Sequence, residues 1–200
     1  MNFQRERSHN RKPRNFIHIY SNGYSEINYF TLKKIHSNKK NIRIEPFFEN
    51  AGNPHQMVKL IERKYSAKDL DPNDRIYCVT DVDDATDICI NDAMTRKAKF
   101  ITLILSNPNF ELWLLLHFKL YTHQFSKNET VEKLKVFLPE YQKPEIEPHF
   151  SQLCKNEAQA IQNVSKLKKY HTKEKRNLFL RDANPYSFIG EIIEIINSFE

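Results

Sequence analysis

Glycine is scarce in this chain: Gly23, Gly52 and Gly190 are all it has in 200 residues. Phosphate loops of the P-loop and dinucleotide-binding kinds need closely spaced glycines so that the backbone can approach a phosphate, and three isolated ones cannot build either. Cysteine is as sparse. Cys78, Cys89 and Cys154 are odd in number and far apart, matching neither a zinc spacing nor a disulfide framework. Long hydrophobic runs are missing as well. The most apolar run, "LWLLLHF" at 112–118, is far short of the roughly 20 residues that span a bilayer. The N-terminus has no apolar region of the kind a secretory signal needs. These absences lead us to expect a reduced, cytoplasmic protein without a membrane anchor.

The chain does have material for a core. Hydrophobic residues make up 40%, with 14 Phe and 9 Tyr, enough for one folded unit with an appendage. Charge is unbalanced toward the positive, with a formal net charge of +6. Much of the excess lies in "RERSHNRKPR" (5–14), within a basic arm over residues 1–14, and in "KLKKYHTKEKR" (166–176). Such clusters suit a polyanion such as nucleic acid, and they equally suit a solvated face.

Hydrophobic patterning alternates between strand and helix. "FIHIY" (16–20), "IRIEPFF" (42–48), "RIYCVTD" (75–81) and "KFITLILS" (99–106) read as strands. Pro46 assigns the second to an edge or a bulge. Helices are expected from Ser25 as N-cap with Tyr29, Leu32 and Ile35 inward, over Pro54–Ser66, over Ala85–Ala98, and from the Asn107-Pro108 pair into "FELWLLLHF". Trp113 and His117 on that last helix read as core residues. Alternation of this kind implies an α/β fold with a mostly parallel four-stranded sheet flanked by helices. Residues 15–122 form this unit. Beyond it strand signals stop, and residues 123–200 read as a helical extension packed on the same core, with helices near 129–138, 156–170 and 184–199. The stripe Phe188, Ile189, Ile192, Ile193, Ile196 and Phe199 fits docking on that core or homo-oligomerisation.

Ligands of open parallel sheets sit beyond the carboxyl ends of the strands. The first strand delivers Asn22, Gly23 and Glu26 there, the third Asp81, Asp83 and Asp84, and the fourth Asn107 and Glu111. If the pleat continues, Asp81 and Asp83 face the same way. A hard divalent cation, Mg²⁺ or Mn²⁺, relieves the repulsion of two such carboxylates, while capping of the next helix is the plainer role for an aspartate in this place. Glu111 suits a site carboxylate or a first-turn acid facing the helix dipole. Gly23 leaves room for a phosphate against the backbone. Asn107 is placed to bind that phosphate or to orient Glu111, and Lys166, Lys168 and Lys169 to track a phosphodiester backbone.

Four segments, "SNGYSEINYF", "VTDVDD", "SNPNFELWLLLHF" and "DANPYSF", occur in the order and at about the spacing of RloB-like proteins, which are associated with restriction-modification loci and abortive phage infection. The resemblance covers about residues 14–199. It implies a Toprim-like domain, the fold shared by topoisomerases, primases and nucleases of the overcoming-lysogenization-defect kind, with a Mg²⁺-dependent phosphoryl-transfer site. On that resemblance Asp81 and Asp83 take the metal, and the substrate is DNA or RNA, tRNA included. Related defence proteins work beside an ABC-type ATPase. The chain departs from the pattern at Asn22, where the Toprim glutamate belongs. An amide cannot take a proton as a carboxylate does, so Glu26 or Glu111 must supply the acid. Otherwise the domain is a catalytically degenerate nucleic-acid-binding or regulatory subunit. The reading carried forward is a metal-dependent nuclease in anti-phage defence.

Overall fold

The computed structural model describes residues 15–46, 52–65, 70–71, 73–82 and 85–199. The basic arm, Asp83 and Asp84 lie outside the described residues. Strands β1 (Ile17–Ser21), β2 (Ile42–Pro46), β3 (Arg75–Asp81), β4 (Ile101–Asn107) and β5 (Tyr186–Ser187) form one sheet in the order β2-β1-β3-β4-β5. The first four are mutually parallel, and β5 runs antiparallel along β4. The architecture is an α/β sheet flanked by helices, compatible with a Toprim-like fold.

The strand sequences explain their positions. β1 is buried at all five positions, and β3 at all but its two ends, so near-continuous apolar runs fit the centre of the sheet. β2 is the edge strand, partly exposed and ending at Pro46, where a missing N–H breaks no ladder.

The winding reverses at β1. The chain moves from β1 outward to β2 through α1 (Tyr24–His36), then back across β1 to β3 through α2 (Pro54–Lys64) and on to β4 through α3 (Asp87–Arg96). Right-handed crossovers therefore put α1 on one face and α2 with α3 on the other. The contacts agree: α2 packs on α3, and α1 packs on the long α6 (Glu147–Lys173). This reversal makes the carboxyl ends of β1 and β3 the topological switch point of the sheet, where open α/β folds place their ligands.

Several sequence expectations need correction. A fifth strand exists in the segment expected to be helical. At two residues it is too short for any period to show. It is held by the ladder, by Phe188 N–H donating to Leu105 O at 2.9 Å, and by a 2.9 Å hydrogen bond between the Ser106 and Ser187 hydroxyls. Accordingly α7 (Ile189–Ser198) begins at Ile189 rather than at Asn184. The other Asn-Pro pair opens no helix either: Asn107 is the last residue of β4, and α4 spans only Glu111–Leu116, with α5 (Lys127–Lys135) the next helix. Both Asn-Pro bonds are cis.

The helix α1 is capped at Gly23, not Ser25, and its inward face is Glu26, Tyr29, Phe30 and Lys33, whereas Ile35 is 69% exposed. Two charged residues thus lie on the buried face. Lys33 finds both carboxylate oxygens of Glu157 on α6 at 2.6 and 2.8 Å, and Asn197 of α7 (Ile189–Ser198) donates to the same carboxylate at 3.0 Å. That network ties three helices together. The apolar stripe of α7 is used within the chain, since Ile189, Ile192, Ile193 and Ile196 are at most 1% exposed. Trp113 and His117 are core residues as expected, the His117 Nδ1 lying 2.9 Å from Trp113 O. No helix among the described residues is long and apolar enough to cross a membrane.

Candidate active site at the switch point

A pocket of about 390 Å³ opens at the carboxyl ends of β1 and β3. Asn22 to Glu26 line it from the β1–α1 turn, Thr80 and Asp81 from the end of β3, Phe110 and Glu111 from the start of α4, and Lys143 with Pro144 from the loop before α6. Five of the expected site residues, Asn22, Gly23, Glu26, Asp81 and Glu111, therefore meet around one cavity.

Glu26 sits in the first turn of α1, yet its carboxyl folds back over Gly23 rather than pointing to solvent. A Cβ built on Gly23 would fall onto that carboxyl. The bare Gly23 backbone, expected to face a phosphate, in the folded chain admits Glu26. At 4% exposure the group has little water to stabilise its charge. Burial pushes its pKa up from 4.5 to about 7; the Glu111 charge adds to this, while its own backbone N–H and Lys143 oppose it. A carboxyl near neutrality can both release and accept a proton at physiological pH.

Glu111 is 1% exposed at the first turn of α4. Its Oε1 accepts from the Tyr141 hydroxyl at 3.2 Å, and Lys143 Nζ stands 2.7 Å from its Oε2. Both partners come from the loop before α6, which carries no motif that marks it. The loop is fixed from α1, where Asn28 Nδ2 donates to Pro144 O at 3.0 Å. Burial raises the Tyr141 pKa, with the Glu111 charge adding to it, so the phenol stays protonated and serves Glu111 as a donor.

The remaining sequence candidates are elsewhere. Asn107 ends a strand instead of sharing a helix face with Glu111, and its amide donates to Leu180 O and Arg181 O at 3.1 and 3.2 Å. It is a clamp on the 180–181 segment and lines a separate cavity with Pro108 and Arg181. Lys166, Lys168 and Lys169 lie on the exposed side of α6, with Lys168 Nζ 3.1 Å from Glu191. From the start of α6 to Lys166 is roughly 30 Å of helix. They line none of the pocket. The pocket residues missed from sequence include Ser25, Thr80, Lys143 and Pro144, and Tyr141 supports Glu111 from outside the lining.

A family model for RloB-like proteins matches residues 17–196. The chain belongs to the RloB-like family. No curated protein and no solved structure matches it. The match spans every strand and helix described above apart from the last residues of α7, so the pocket is assembled wholly from the family's own segment.

Proposed function

We propose that this protein is a Mg²⁺-dependent, Toprim-type nuclease that hydrolyses phosphodiester bonds. The observation that carries the reading is the convergence of two almost fully buried carboxyl groups, Glu26 and Glu111, with Asp81 on one pocket at the switch point, one of them poised near neutrality. Burying carboxyl groups that repel each other is unfavourable unless the site takes a cation or holds a proton. No group of three or more His, Cys, Asp or Glu among the described residues could hold a metal ion by itself. Mg²⁺ does not need such a group, because one or two carboxylates, waters and substrate phosphate complete its shell. Hard oxygen donors of this kind fit Mg²⁺ or Mn²⁺, with Asp81 and Glu111 as the residues to hold it and Asp83 as the further ligand expected from sequence. The cation would supply charge stabilisation at the phosphoryl oxygens.

The side chains take the other roles. Glu26, ionised, accepts a proton from the attacking water as its oxygen bonds to phosphorus; the departing ester oxygen is then protonated by solvent. Asn22 at the pocket rim offers amide N–H groups to a phosphate oxygen. Glu26 thereby serves where residue 22 of the Toprim pattern would, since its carboxyl folds back to the same turn.

The test is cleavage of labelled tRNA, single-stranded DNA and duplex DNA with Mg²⁺ or Mn²⁺, comparing wild type with Glu26→Gln and Asp81→Asn. Cleavage that requires the metal and falls at least a hundredfold in both variants supports the reading, the scale expected of a general base. Asn22 in place of a glutamate favours a second reading, a degenerate domain that binds nucleic acid or regulates a partner. Retained nucleic-acid binding with no cleavage under any metal would select it. Anti-phage defence and an ABC-type ATPase partner follow from the family resemblance. Loss of plaque protection in Glu26→Gln cells is the corresponding assay.

A further inference from the structure

We infer that Lys143 is an exchangeable counter-ion of the pocket: it neutralises Glu111 while no divalent cation is bound and passes to the phosphodiester when cation and substrate enter. The inference rests on the reading of the pocket as a metal-assisted phosphodiester site. Glu111 is 1% exposed, and the Lys143 ammonium is the positive group beside its Oε2. Among the described residues Lys143 is the one cation lining the pocket. Its Nζ is 2.7 Å from Oε2, yet that oxygen has no hydrogen-bond donor in proper alignment. The contact is therefore a charge contact without the directional bond that would fix it.

The surroundings let the ammonium leave. The Lys143 side chain is 49% exposed, and four flexible methylenes allow its head to swing while its backbone stays. The neighbouring anchors hold: Asn28 keeps Pro144 O, and the Tyr141 hydroxyl keeps Glu111 Oε1. Glu111 thus keeps a donor that orients it when Lys143 departs. A divalent cation held by Asp81 and Glu111 would supply the charge that Lys143 now gives to Glu111, and the freed ammonium would pair with the negative charge of a phosphodiester. Lysine suits this better than arginine would, because a compact ammonium binds as a point charge and does not lock a carboxylate bidentately.

Magnesium binding measured by calorimetry without substrate, on wild type, Lys143→Met and Lys143→Arg, decides the matter. Removing the competing ammonium should tighten Mg²⁺ binding about two- to fivefold, the scale of a half-exposed ion pair, while Lys143→Arg binds no more tightly than wild type. In EDTA, Lys143→Met should melt below wild type, and saturating Mg²⁺ should raise its melting temperature by more than it raises that of wild type. The same variant should bind a phosphorothioate oligonucleotide in Ca²⁺ more weakly. Unchanged or weaker Mg²⁺ binding by Lys143→Met, with wild type binding normally, overturns the exchange and leaves the metal site standing. Absence of Mg²⁺ binding in both overturns the exchange together with the metal reading. Should Lys143→Met not fold, Lys143→Gln is measured in the same way.

Discussion

The Glu26→Gln substitution removes a charge from a place where the fold resists it, so the variant should be more stable than wild type at alkaline pH. A pKa raised from 4.5 to about 7 corresponds to about 3 kcal/mol, at roughly 1.4 kcal/mol per pH unit. The sign follows from proton linkage. Between pH 4.5 and 7 the folded chain holds a proton on Glu26 that the unfolded chain has released, so stability contributed by this group is intact below 4.5 and lost as pH rises through 7. Glutamine has no such loss. The stability difference between variant and wild type should therefore grow by up to about 3 kcal/mol from pH 4.5 to 8. For a chain of this size that is a relative gain of roughly 6–12 °C in melting temperature. Thermal unfolding followed by circular dichroism in EDTA is the assay. The difference is the informative quantity, because His117, which burial lowers to about 4, slopes the wild-type profile the other way. Its neutral form favours folding above pH 6.5, and that stability is lost as pH falls toward 4. His117 is present in both proteins and cancels. Parallel profiles for wild type and Glu26→Gln would refute the burial of an uncompensated carboxyl at this position.

Gly23→Ala should leave the fold intact, since its φ of −91° is open to alanine and the clash falls on the mobile end of Glu26. It should displace that carboxyl and flatten the same pH-dependent difference, as read by thermal unfolding. Lys33→Met strands the Glu157 carboxylate in the α1–α6 interface and should destabilise by about 3 kcal/mol in urea titration; adding Glu157→Leu should recover much of it. Asn107→Ala removes two hydrogen bonds to the 180–181 segment and should lower stability by about 1–2 kcal/mol without changing Mg²⁺ binding. A change in Mg²⁺ affinity there would return Asn107 to the site.

Sheet order and pocket position were legible to different degrees. The apolar runs at 75–81 and around 101–106 announced central strands because strands covered on both faces have no alternation to hide them. Pro46 marked an edge for the same kind of local reason. The two-residue β5 could not be read, because its register depends on Ser187 meeting Ser106, 81 positions away. On α1 the apolar spacing finds Tyr29 and Leu32 but also points to the exposed Ile35, and it passes over Glu26 and Lys33, which are buried by partners on other elements.

The sequence by itself determined the alternation of strands and helices, hence the parallel sheet, and which residues stand at the strand ends: Asn22, Gly23, Glu26, Asp81 and Glu111. Local periodicity and chain chirality suffice for that much. Only the tertiary structure decided that Glu26 covers Gly23, that Asn107 is tied to another segment, and that a loop 30 residues beyond Glu111 brings Tyr141 to its carboxylate. Charge and protonation in this pocket depend on burial and on neighbours far away in the chain. Neither is a local property, and no pattern along the sequence encodes them.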